Sequence, residues 1–369
     1  MTIAIVGAGV VGTAQALYAG LRHAGRRIVV LDPGGIGQAA SLRNSGYLCP
    51  GLAAEPPDLA SVLRYHARHR LRTHDIAPAQ LGRWAAGAVL AAGGRALRGD
   101  QDEGLRQLRA WAERSGREWP RLLGGEPPRG AVRLRRRGPA ADLRPLRRRL
   151  PALDLQGVRD FAWCPEDTFV DAETCVHALA QRWPPNVEWR PQAVRRLGMR
   201  GGRVQQLHLE GAEPLAVAQV VLATGAGTAA LLRPLLRSPP PLLPLCGYSL
   251  TVQYPGPPPA AHAISDLDQA ATLVPLSRRR LRIAGYLDLA GVEPPWAAQR
   301  HRQLEETLRR LFPEHPFEVL DRWHGIRIGT VSGIPLVGRV GENVYCNAGH
   351  GRVGMTLAPG TAAWLSEQL

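Results

Sequence analysis

The sequence contains no lysine, and arginine supplies all 46 of its basic residues. The formal net charge is +15 at pH 7, and the sequence pI is about 10.8. A protein this basic binds polyanions non-specifically, so the charge alone does not identify nucleic acid or an anionic membrane as its target. The use of arginine alone is typical of a bias in genome composition as much as of a functional requirement.

The sequence also lacks long apolar runs and paired cysteines. No uninterrupted apolar run approaches the roughly 20 residues that cross a bilayer. The apolar N-terminal stretch has no basic region like that of a signal peptide, and glycines interrupt it. The five cysteines are scattered and form no CxxC pair, so neither a disulfide framework nor a metal site is predicted. We therefore expect a cytoplasmic protein with reduced thiols; peripheral attachment to the inner face of the membrane is the alternative.

The length of 369 residues and the hydrophobic content of 45% predict a globular chain with two or three domains. Apolar residues at helical spacing predict helices over 58–72, 81–97 and 104–121, with the apolar stripe of the last in the core. Alternating residues predict a strand over 246–252, and the runs 271–276 and 281–287 predict a hairpin. A turn is predicted at Gly201-Gly202. Asp171 precedes a predicted helix over 172–181, and we expect it to be the N-cap of that helix.

The first fifty residues follow the order strand, glycine turn, helix, strand and acid. An apolar run, 3–6, precedes Gly7-Ala8-Gly9-Val10-Val11-Gly12, and a second apolar run, 27–31, ends at Asp32. In this pattern the first glycine permits the turn, the second lets a pyrophosphate approach, and the third lets the helix pack on the strand. Asp32 follows Gly12 by 32 − 12 = 20 residues, the spacing of an acid that holds a ribose hydroxyl. The segment therefore predicts a dinucleotide site with its phosphates at the helix N-terminus.

Three segments that follow Asp32 indicate which dinucleotide is bound. They are the loop 37–51, an apolar strand over 217–222 that leads into Ala223-Thr224-Gly225, and the glycine-rich segment 347–360. Together with the first fifty residues, they resemble the D-amino-acid oxidase (DAO) superfamily of FAD-dependent oxidoreductases. The closest resemblance is to D-amino-acid dehydrogenases, and it covers nearly the whole chain except roughly residues 60 to 160.

The resemblance implies an α/β fold with a Rossmann-like FAD domain of the two-dinucleotide-binding type. It also implies an α+β substrate domain with an antiparallel sheet. We expect the FAD-binding domain to comprise 1–80, 155–235 and 322–369, and the substrate-binding domain to comprise 81–154 and 236–321.

The implied cofactor is non-covalent FAD, because no cysteine lies in the turn 329–333, where sarcosine-oxidase relatives attach the flavin. The implied cofactor-binding residues span all the segments quoted above and two other positions. They are Gly7, Gly9, Val10, Val11, Gly12, Asp32, Ser41, Asn44, Ser45, Gly46, Val194, Ala223, Thr224, Gly225, Arg327, Gly349, His350, Gly351, Val353, Gly354, Met355 and Thr356.

The reaction that the resemblance implies is oxidation of a C–N bond in an amino acid or secondary amine. Hydride passes from the α-carbon to flavin N5, and the imine is hydrolysed. The site needs a clamp for the substrate carboxylate, and the fork of an arginine suits it. Arg327 matches the family arginine, and Arg352 lies where glycine oxidases carry one. Tyr47 and Tyr248 are expected to close the pocket, whereas His350 is expected to be structural.

Two departures from the family pattern leave the substrate class open: Ile328 follows Arg327 in place of proline, and Ser332 replaces an aspartate. The lysine that activates oxygen in sarcosine-oxidase relatives is absent, which favours a dehydrogenase that passes electrons to a quinone or another acceptor. The alternatives are a glycine/sarcosine-oxidase-like enzyme that uses oxygen, an FAD-carrying subunit of a heteromeric dehydrogenase, and a nucleic-acid-associated flavoprotein. The segment Ala223–Gly225 argues against an NAD-linked dehydrogenase.

The most basic segment is 133–149, which contains eight arginines. One interpretation is a patch for acidic lipid or nucleic acid. The other is a solvated domain edge, and the lack of interleaved aromatic residues favours it, because single-strand binders stack bases on aromatic rings. We expect a small amino acid or amine as the partner and no specific nucleic acid. The sequence leaves the oligomeric state open.

Overall fold

The computed structural model describes residues 1–38, 40–53, 73–74, 82, 86, 99–237, 240–290 and 293–369. The helices predicted over 58–72 and 81–97 lie outside the described residues, apart from Gly82 and Ala86, which are helical. None of the described helices is long and apolar enough to cross a membrane.

Eighteen strands are found in the described part of the chain. In chain order they are β1 (Thr2–Val6), β2 (Arg27–Leu31), β3 (Tyr47–Leu48), β4 (Thr73–His74), β5 (Arg129–Arg135), β6 (Asp160–Phe169), β7 (Val187–Arg190), β8 (Val194–Arg200), β9 (Arg203–Leu209), β10 (Leu215–Ala216), β11 (Gln219–Leu222), β12 (Leu242–Gln253), β13 (Ala263–Asp266), β14 (Ala271–Pro275), β15 (Arg280–Ala290), β16 (Glu318–Thr330), β17 (Leu336–Arg339) and β18 (Val344–Ala348).

The helices alternate with these strands. In chain order the described ones are α1 (Val10–Arg22), α2 (Ala40–Arg43), α3 (Pro50–Ala53), α4 (Gly99–Leu123), α5 (Arg144–Arg149), α6 (Ala172–Ala180), α7 (Thr228–Leu232), α8 (Ala297–Leu311) and α9 (Gly354–Ser366). Short 3₁₀ turns, Gly225–Gly227 and Gly351–Val353, precede α7 and α9.

The first sheet has six strands in the order β17-β18-β11-β1-β2-β7, and all neighbours except β17 and β18 pair in parallel. Its central strands are buried on both faces: Ile3, Ala4 and Ile5 have no exposed surface. Strands covered on both faces are expected to be continuous apolar runs, as β1, β2 and β11 are. The carboxyl ends of these strands share one edge, where the glycine loop and Asp32 lie.

The second large sheet is mostly antiparallel, in the order β16-β12-β15-β14-β13-β5-β6-β3, with β4 paired to β15. The predicted hairpin of β14 and β15 is present. One face of this sheet packs against α8 through Leu304, Leu308 and Leu311. The other face turns toward the glycine loop. A third, three-stranded sheet, β10-β9-β8, contains the predicted turn at Gly201 and Gly202.

The arginines of 133–149 do not form one free basic stripe. Several pair with acids of the antiparallel sheet: Arg133 with Asp167, Arg136 with Asp266 and Arg137 with Asp268. Arg149 stacks on the ring of Trp163, with its guanidinium carbon 3.8 Å from the ring centroid. Arg147 and Arg148 are exposed. The segment is therefore part interior sheet strand and part solvated helix.

Candidate active site between the two sheets

A cavity of about 800 Å³ lies between the carboxyl edge of the parallel sheet and the inner face of the antiparallel sheet. Its volume falls within the range of small-molecule and cofactor sites. Residues from the glycine loop, the loop 38–49, the strand ends 223–226 and the segment 347–356 line one side. Residues from β13 to β16 line the other side.

The glycine loop is shaped by close packing. Gly7 has a φ of +103°, and a Cβ there would lie 2.3 Å from Ala223 O. A Cβ on Gly12 would lie 1.9 Å from Gly7 O, so α1 approaches the loop as only glycine permits. The first turn of α1 contains no acid, and its N-terminus begins at the cavity. The local field therefore favours an anion such as a pyrophosphate.

Asp32 lies where the sequence predicts, directly after β2. Its two carboxylate oxygens accept hydrogen bonds from the backbone N–H of Ala8 and of Gly34, each at 2.8 Å. These contacts orient the carboxylate toward the cavity, which it lines. Each oxygen keeps a further lone pair for a hydroxyl group, because a carboxylate accepts about four hydrogen bonds.

The loop 38–49, which includes the short helix α2, is fastened at both ends. Ser41 Oγ accepts a hydrogen bond from Val10 N–H at 2.9 Å, and Asn44 Oδ1 accepts one from Gly46 N–H at 2.7 Å. On the other side, Arg282 of β15 donates to the carbonyl oxygens of Leu42 and Asn44 at 3.0 and 3.1 Å. Arg282 thus joins the cofactor loop to the antiparallel sheet. Sequence reasoning missed this role.

The C-terminal segment returns to the same edge. His350 lines the cavity with 6% of its surface exposed, and its Nε2 lies 3.4 Å from Thr361 Oγ1. Burial lowers the pKa of His350 to about 4, so the imidazole is neutral near pH 7. Asn347 also lines the cavity, and its buried Oδ1 has no hydrogen-bond partner in the protein. This acceptor is free to take a hydrogen bond from a bound ligand or from water.

Arg327 and Arg352 line one cavity although they belong to different elements. Arg327 lies on β16, and a Cβ on Gly247 of β12 would come within 2.0 Å of its Nη1. Its guanidinium therefore lies over the backbone of the neighbouring strand. Gly329 forms an antiparallel bridge with His350, which brings the segment that carries Arg352 alongside β16. The Arg352 residue is exposed.

The two tyrosines expected to close the pocket lie in different places. Tyr47 lines the cavity, and its hydroxyl donates a hydrogen bond to Asp167 Oδ2. Tyr248 has no exposed surface and does not line the cavity. Its Oη accepts a hydrogen bond from Trp296 Nε1 at 2.9 Å, inside the core beneath α8.

The expected role of Tyr248 is therefore wrong. Successive side chains of a strand point to opposite faces, and the even-numbered positions of β12, from Cys246 to Val252, belong to the core on the α8 side. The odd-numbered Gly247 lies under Arg327 on the cavity side. The sequence predicted the strand, but it did not show which face turned toward the cofactor.

Three of the expected cofactor-binding residues do not line the cavity: Gly12, Gly46 and Val194. Gly12 acts through close packing, as described above. Gly46 packs against the loop before α6, where a Cβ would lie 1.7 Å from Val170 O. Val194 packs against the core beside the parallel sheet. All the other expected residues line the cavity.

Sequence reasoning missed most of the wall that the antiparallel sheet supplies. Ser265, Thr272 and Ala284 lie on adjacent strands in register, and Ser265 Oγ is 3.2 Å from Thr272 Oγ1. Tyr286, with a φ of +62°, lies in a bulge of β15. Tyr286, which also contacts the core, and Leu287 both line the cavity. No local sequence signal marks these positions, because their shared surface depends on strand pairing.

The comparisons with known proteins agree with this geometry. Residues 2–368 match the family described as FAD dependent oxidoreductase, DAO. The D-amino acid dehydrogenase 2 of Pseudomonas aeruginosa is 31% identical, and the match covers 100% of this chain and 94% of that protein. The chain belongs to the DAO family of FAD-dependent oxidoreductases. The predictions of the family, of FAD as the cofactor and of an oxidoreductase are confirmed.

Solved structures of DAO-family proteins share the fold. Glycine oxidase from Bacillus cereus superposes with a TM-score of 0.70 at 16% identity, covering 100% of this chain and 94% of that one. L-proline dehydrogenase from P. horikoshii superposes with a TM-score of 0.73 at 15% identity, and the match covers 99% of this chain and 92% of that one. At these identities the similarity shows the fold alone. The predicted fold class, a Rossmann-like FAD domain with an antiparallel substrate sheet, is confirmed.

Proposed function

We propose that this DAO-family protein oxidises the C–N bond of an amino acid, as a D-amino-acid-dehydrogenase-like enzyme. The observation that carries the proposal is the shared cavity, in which the dinucleotide loop faces Arg327 on the antiparallel sheet. The relatives named D-amino acid dehydrogenase support the same substrate class. A secondary amine that bears a carboxylate fits the same groups.

FAD suits the residues present. The N-terminus of α1 and the glycine loop would hold its pyrophosphate, Asp32 its ribose, and the segment 349–356 its flavin end. When bound, FAD supplies the acceptor for the hydride that leaves the substrate. The neutral imidazole of His350 adds no charge at neutral pH to the segment assigned to the flavin end.

The work of the chain is to bind and orient the substrate. We assign the substrate carboxylate to Arg327, because a guanidinium binds a carboxylate bidentately. Arg352 is proposed as a second cation that lines the same cavity. The walls from Ser265 to Leu287 are largely apolar or carry neutral hydroxyls, so they would exclude water from the reacting carbon.

The division into two domains is likewise a proposal. The cofactor domain of 1–80, 155–235 and 322–369 is centred on the parallel sheet. The substrate domain of 81–154 and 236–321 is centred on the antiparallel one. The strands β6 and β16 both belong to the antiparallel sheet, although the proposed cofactor segments contain all of β6 and most of β16. The chain therefore crosses between the two sheets within these segments.

The test of the proposed function is the absorbance spectrum of the purified protein, followed without oxygen. The titration uses D-amino acids, their L-enantiomers, glycine, sarcosine and proline. We expect a flavin spectrum that one group of amino acids bleaches. A flavin that no amine or amino acid reduces would reject the proposal while leaving FAD binding intact.

We propose a quinone or another acceptor in place of oxygen, because the chain has no lysine to activate oxygen as sarcosine-oxidase relatives do. With an identified substrate, hydrogen peroxide is measured during turnover in air, with and without a soluble quinone. We expect little peroxide in the assay without quinone, and fast reduction of the quinone where it is present. Rapid stoichiometric peroxide would show a glycine/sarcosine-oxidase-like enzyme. Adding anionic vesicles to the quinone assay tests peripheral membrane association.

A further inference from the structure

Tyr47, Asp167 and Arg133 form a polar group in the wall of the cavity. The Tyr47 hydroxyl donates to Asp167 Oδ2, and Arg133 Nη2 donates to the same oxygen at 2.9 Å. Arg133 Nη2 also lies 2.9 Å from Cys49 Sγ. The Asp167 side chain is 6% exposed and that of Arg133 is 23% exposed. These groups come from three strands, β3, β5 and β6, or from residues next to them.

The pairing determines the direction of the hydrogen bond at Tyr47. Beside the guanidinium of Arg133, Asp167 is a carboxylate, which only accepts. The hydroxyl proton of Tyr47 therefore points to Asp167. The hydroxyl oxygen, which the Arg133 guanidinium also approaches as a donor, offers only a lone pair to a further partner. Tyr47 cannot act as a second donor to the substrate carboxylate, so its contact with a substrate must be with a donor group.

The cavity is thus polarised. Arg327 provides donors that suit a carboxylate, whereas Tyr47 provides an acceptor that suits an amine. Among the described residues, the titratable and charged groups around Tyr47 are Cys49 beside β3, Arg133 on β5, and Cys164 and Asp167 on β6. Burial, together with Cys49 and Asp167, raises the pKa of Tyr47, so it remains a neutral phenol.

We infer that Tyr47 binds the amino group of the substrate and relays its proton to Asp167. This inference rests on the amino-acid substrate proposed above. The ammonium N–H bond breaks and its proton goes to Tyr47 Oη, while the Tyr47 O–H bond breaks and that proton goes to Asp167 Oδ2. Two protons each move by one position, so the net transfer is one proton from the ammonium to Asp167. No electrons are transferred, and the substrate is left as the free amine that can lose hydride. Tyr47 is the catalytic residue, and Asp167 and Arg133 are positioning residues.

The kinetic test compares kcat/KM of Tyr47→Phe and Asp167→Asn with kcat/KM of two variants at another tyrosine–carboxylate hydrogen bond. Tyr18 of α1 donates a hydrogen bond to Glu118 Oε2 of α4 at 2.9 Å, and neither residue lines the cavity. Tyr18→Phe and Glu118→Gln are therefore the controls, and FAD content and thermal midpoint report folding for all four variants. At neutral pH we expect kcat/KM to fall by about 10²- to 10⁴-fold in the first pair only, the usual contribution of a positioned acid or base.

The pH profile separates a relay from damage to the wall. Without the relay the enzyme depends on free amine from solution, so kcat/KM of the variants should rise about tenfold per pH unit until the substrate amine is deprotonated. A fluorinated amino acid, whose amine is neutral near pH 7, should restore most of the lost rate. A Tyr47→Phe enzyme with the rate and pH profile of Tyr18→Phe would overturn the inference.

A binding measurement tests the amine contact without catalysis. α-Aminoisobutyrate has no α-hydrogen and cannot be oxidised, and isobutyrate lacks only the amino group. We expect Tyr47→Phe to weaken binding of the amino compound, followed by flavin absorbance, by about tenfold or more, and to leave isobutyrate unchanged. Equal losses for both ligands would reject the inference. The expected discrimination in a protein whose flavin no amino acid reduces would support the amine contact and reject the proposed oxidation.

Discussion

Arg327 illustrates how a single side chain is positioned by the strand beside it. The absence of a side chain at Gly247 lets the guanidinium lie flat over β12. A larger residue at 247 would displace the arginine and with it the proposed carboxylate site. The proposed clamp therefore depends on one arginine and on one glycine 80 residues earlier in the chain (327 − 247).

Replacing Arg327 by Met is expected to raise KM for the amino acid by about 10- to 100-fold, because a hydrogen bond to a charged group contributes about 1.5–3 kcal/mol. Steady-state kinetics at saturating FAD measure this effect. Arg322→Met is the control, since Arg322 lies on the same strand, is largely exposed and pairs with Glu305. A similar rise of KM in both variants would show that the loss of a strand arginine, not of the clamp, is responsible.

His350 supplies a prediction about pH. Its folded-state pKa of about 4 lies below the usual value of about 6.5, so the unfolded chain binds a proton that the folded chain refuses between these values. Stability should therefore fall as the pH decreases from about 6.5 to about 4, by up to about 3 kcal/mol, and then level off for this group. The contribution of His350 to stability is fully present above about pH 6.5.

Urea unfolding at saturating FAD across this pH range measures the effect. His350→Asn should flatten the decrease, whereas His177→Asn, at an exposed position of α6, should not. His301, whose pKa burial also lowers, contributes a part of the decrease that persists in the His350 variant. A His350→Asn protein with the pH dependence of the unaltered chain would contradict the assignment.

At the scale of single elements, α1 must approach the glycine loop closely. Gly12→Ala would place a methyl group 1.9 Å from the Gly7 carbonyl oxygen, so α1 or the loop must shift. Overpacking of this kind costs about 1–3 kcal/mol, and we expect FAD affinity to fall by about tenfold or more. The FAD affinity is measured by the quenching of FAD fluorescence on binding. Gly25→Ala, after the same helix, meets no atom within 4 Å and should bind FAD normally.

The loop that contains Ser41 and Asn44 depends on Arg282 of β15 in the same way. Arg282→Met removes two hydrogen bonds to loop carbonyl oxygens, each worth about 1.5–3 kcal/mol when the donor is charged. We expect FAD to dissociate about 10 to 100 times faster, measured by competition with excess apoprotein. Arg280→Met, on the exposed first residue of β15, is the control. Unchanged dissociation in Arg282→Met would mean that the loop holds FAD without this anchor.

At the scale of the whole molecule, the net charge of +15 is partly organised into ion pairs. The pairs of Arg133, Arg136 and Arg137 with acids of the antiparallel sheet remove those arginines from any continuous basic surface. The remaining charge is spread over exposed positions such as Arg147 and Arg148. Such a distribution favours weak, non-specific attraction to polyanions and not a nucleic-acid site.

Binding to tRNA at low ionic strength should therefore weaken by about a thousandfold or more between about 50 and 200 mM salt. Fluorescence anisotropy with a labelled tRNA measures this. Removing Arg147 and Arg148 together, as glutamines, should lower the salt slope by about two if both contact phosphate. Affinity that survives the higher salt would revive the alternative of a nucleic-acid-associated flavoprotein.

The sequence predicted the elements whose signals are local. The strand, glycine turn and helix of the first segment, the N-cap at Asp171 and the hairpin of β14 and β15 all lie where their residues indicate. Asp171 Oδ1 accepts the N–H of Glu173 at 3.3 Å, as an N-cap should. The long strand β16 was not predicted, because its residues alternate irregularly between polar and apolar. The strand position of Arg133 was not predicted either, because its segment was interpreted from its charge alone.

By itself, the sequence determined the chemistry of the cofactor half, because a phosphate-binding turn is made by residues close together in the chain: Gly7, Gly9, Gly12 and Asp32. Only the tertiary structure decided the substrate half. It turned Tyr248 into the core and Tyr47 toward the cavity, and it paired Arg133 with Asp167 across 34 residues and Arg282 with the loop across about 240. Strand pairing and pleat direction set these contacts, and both depend on long-range packing that no local pattern encodes.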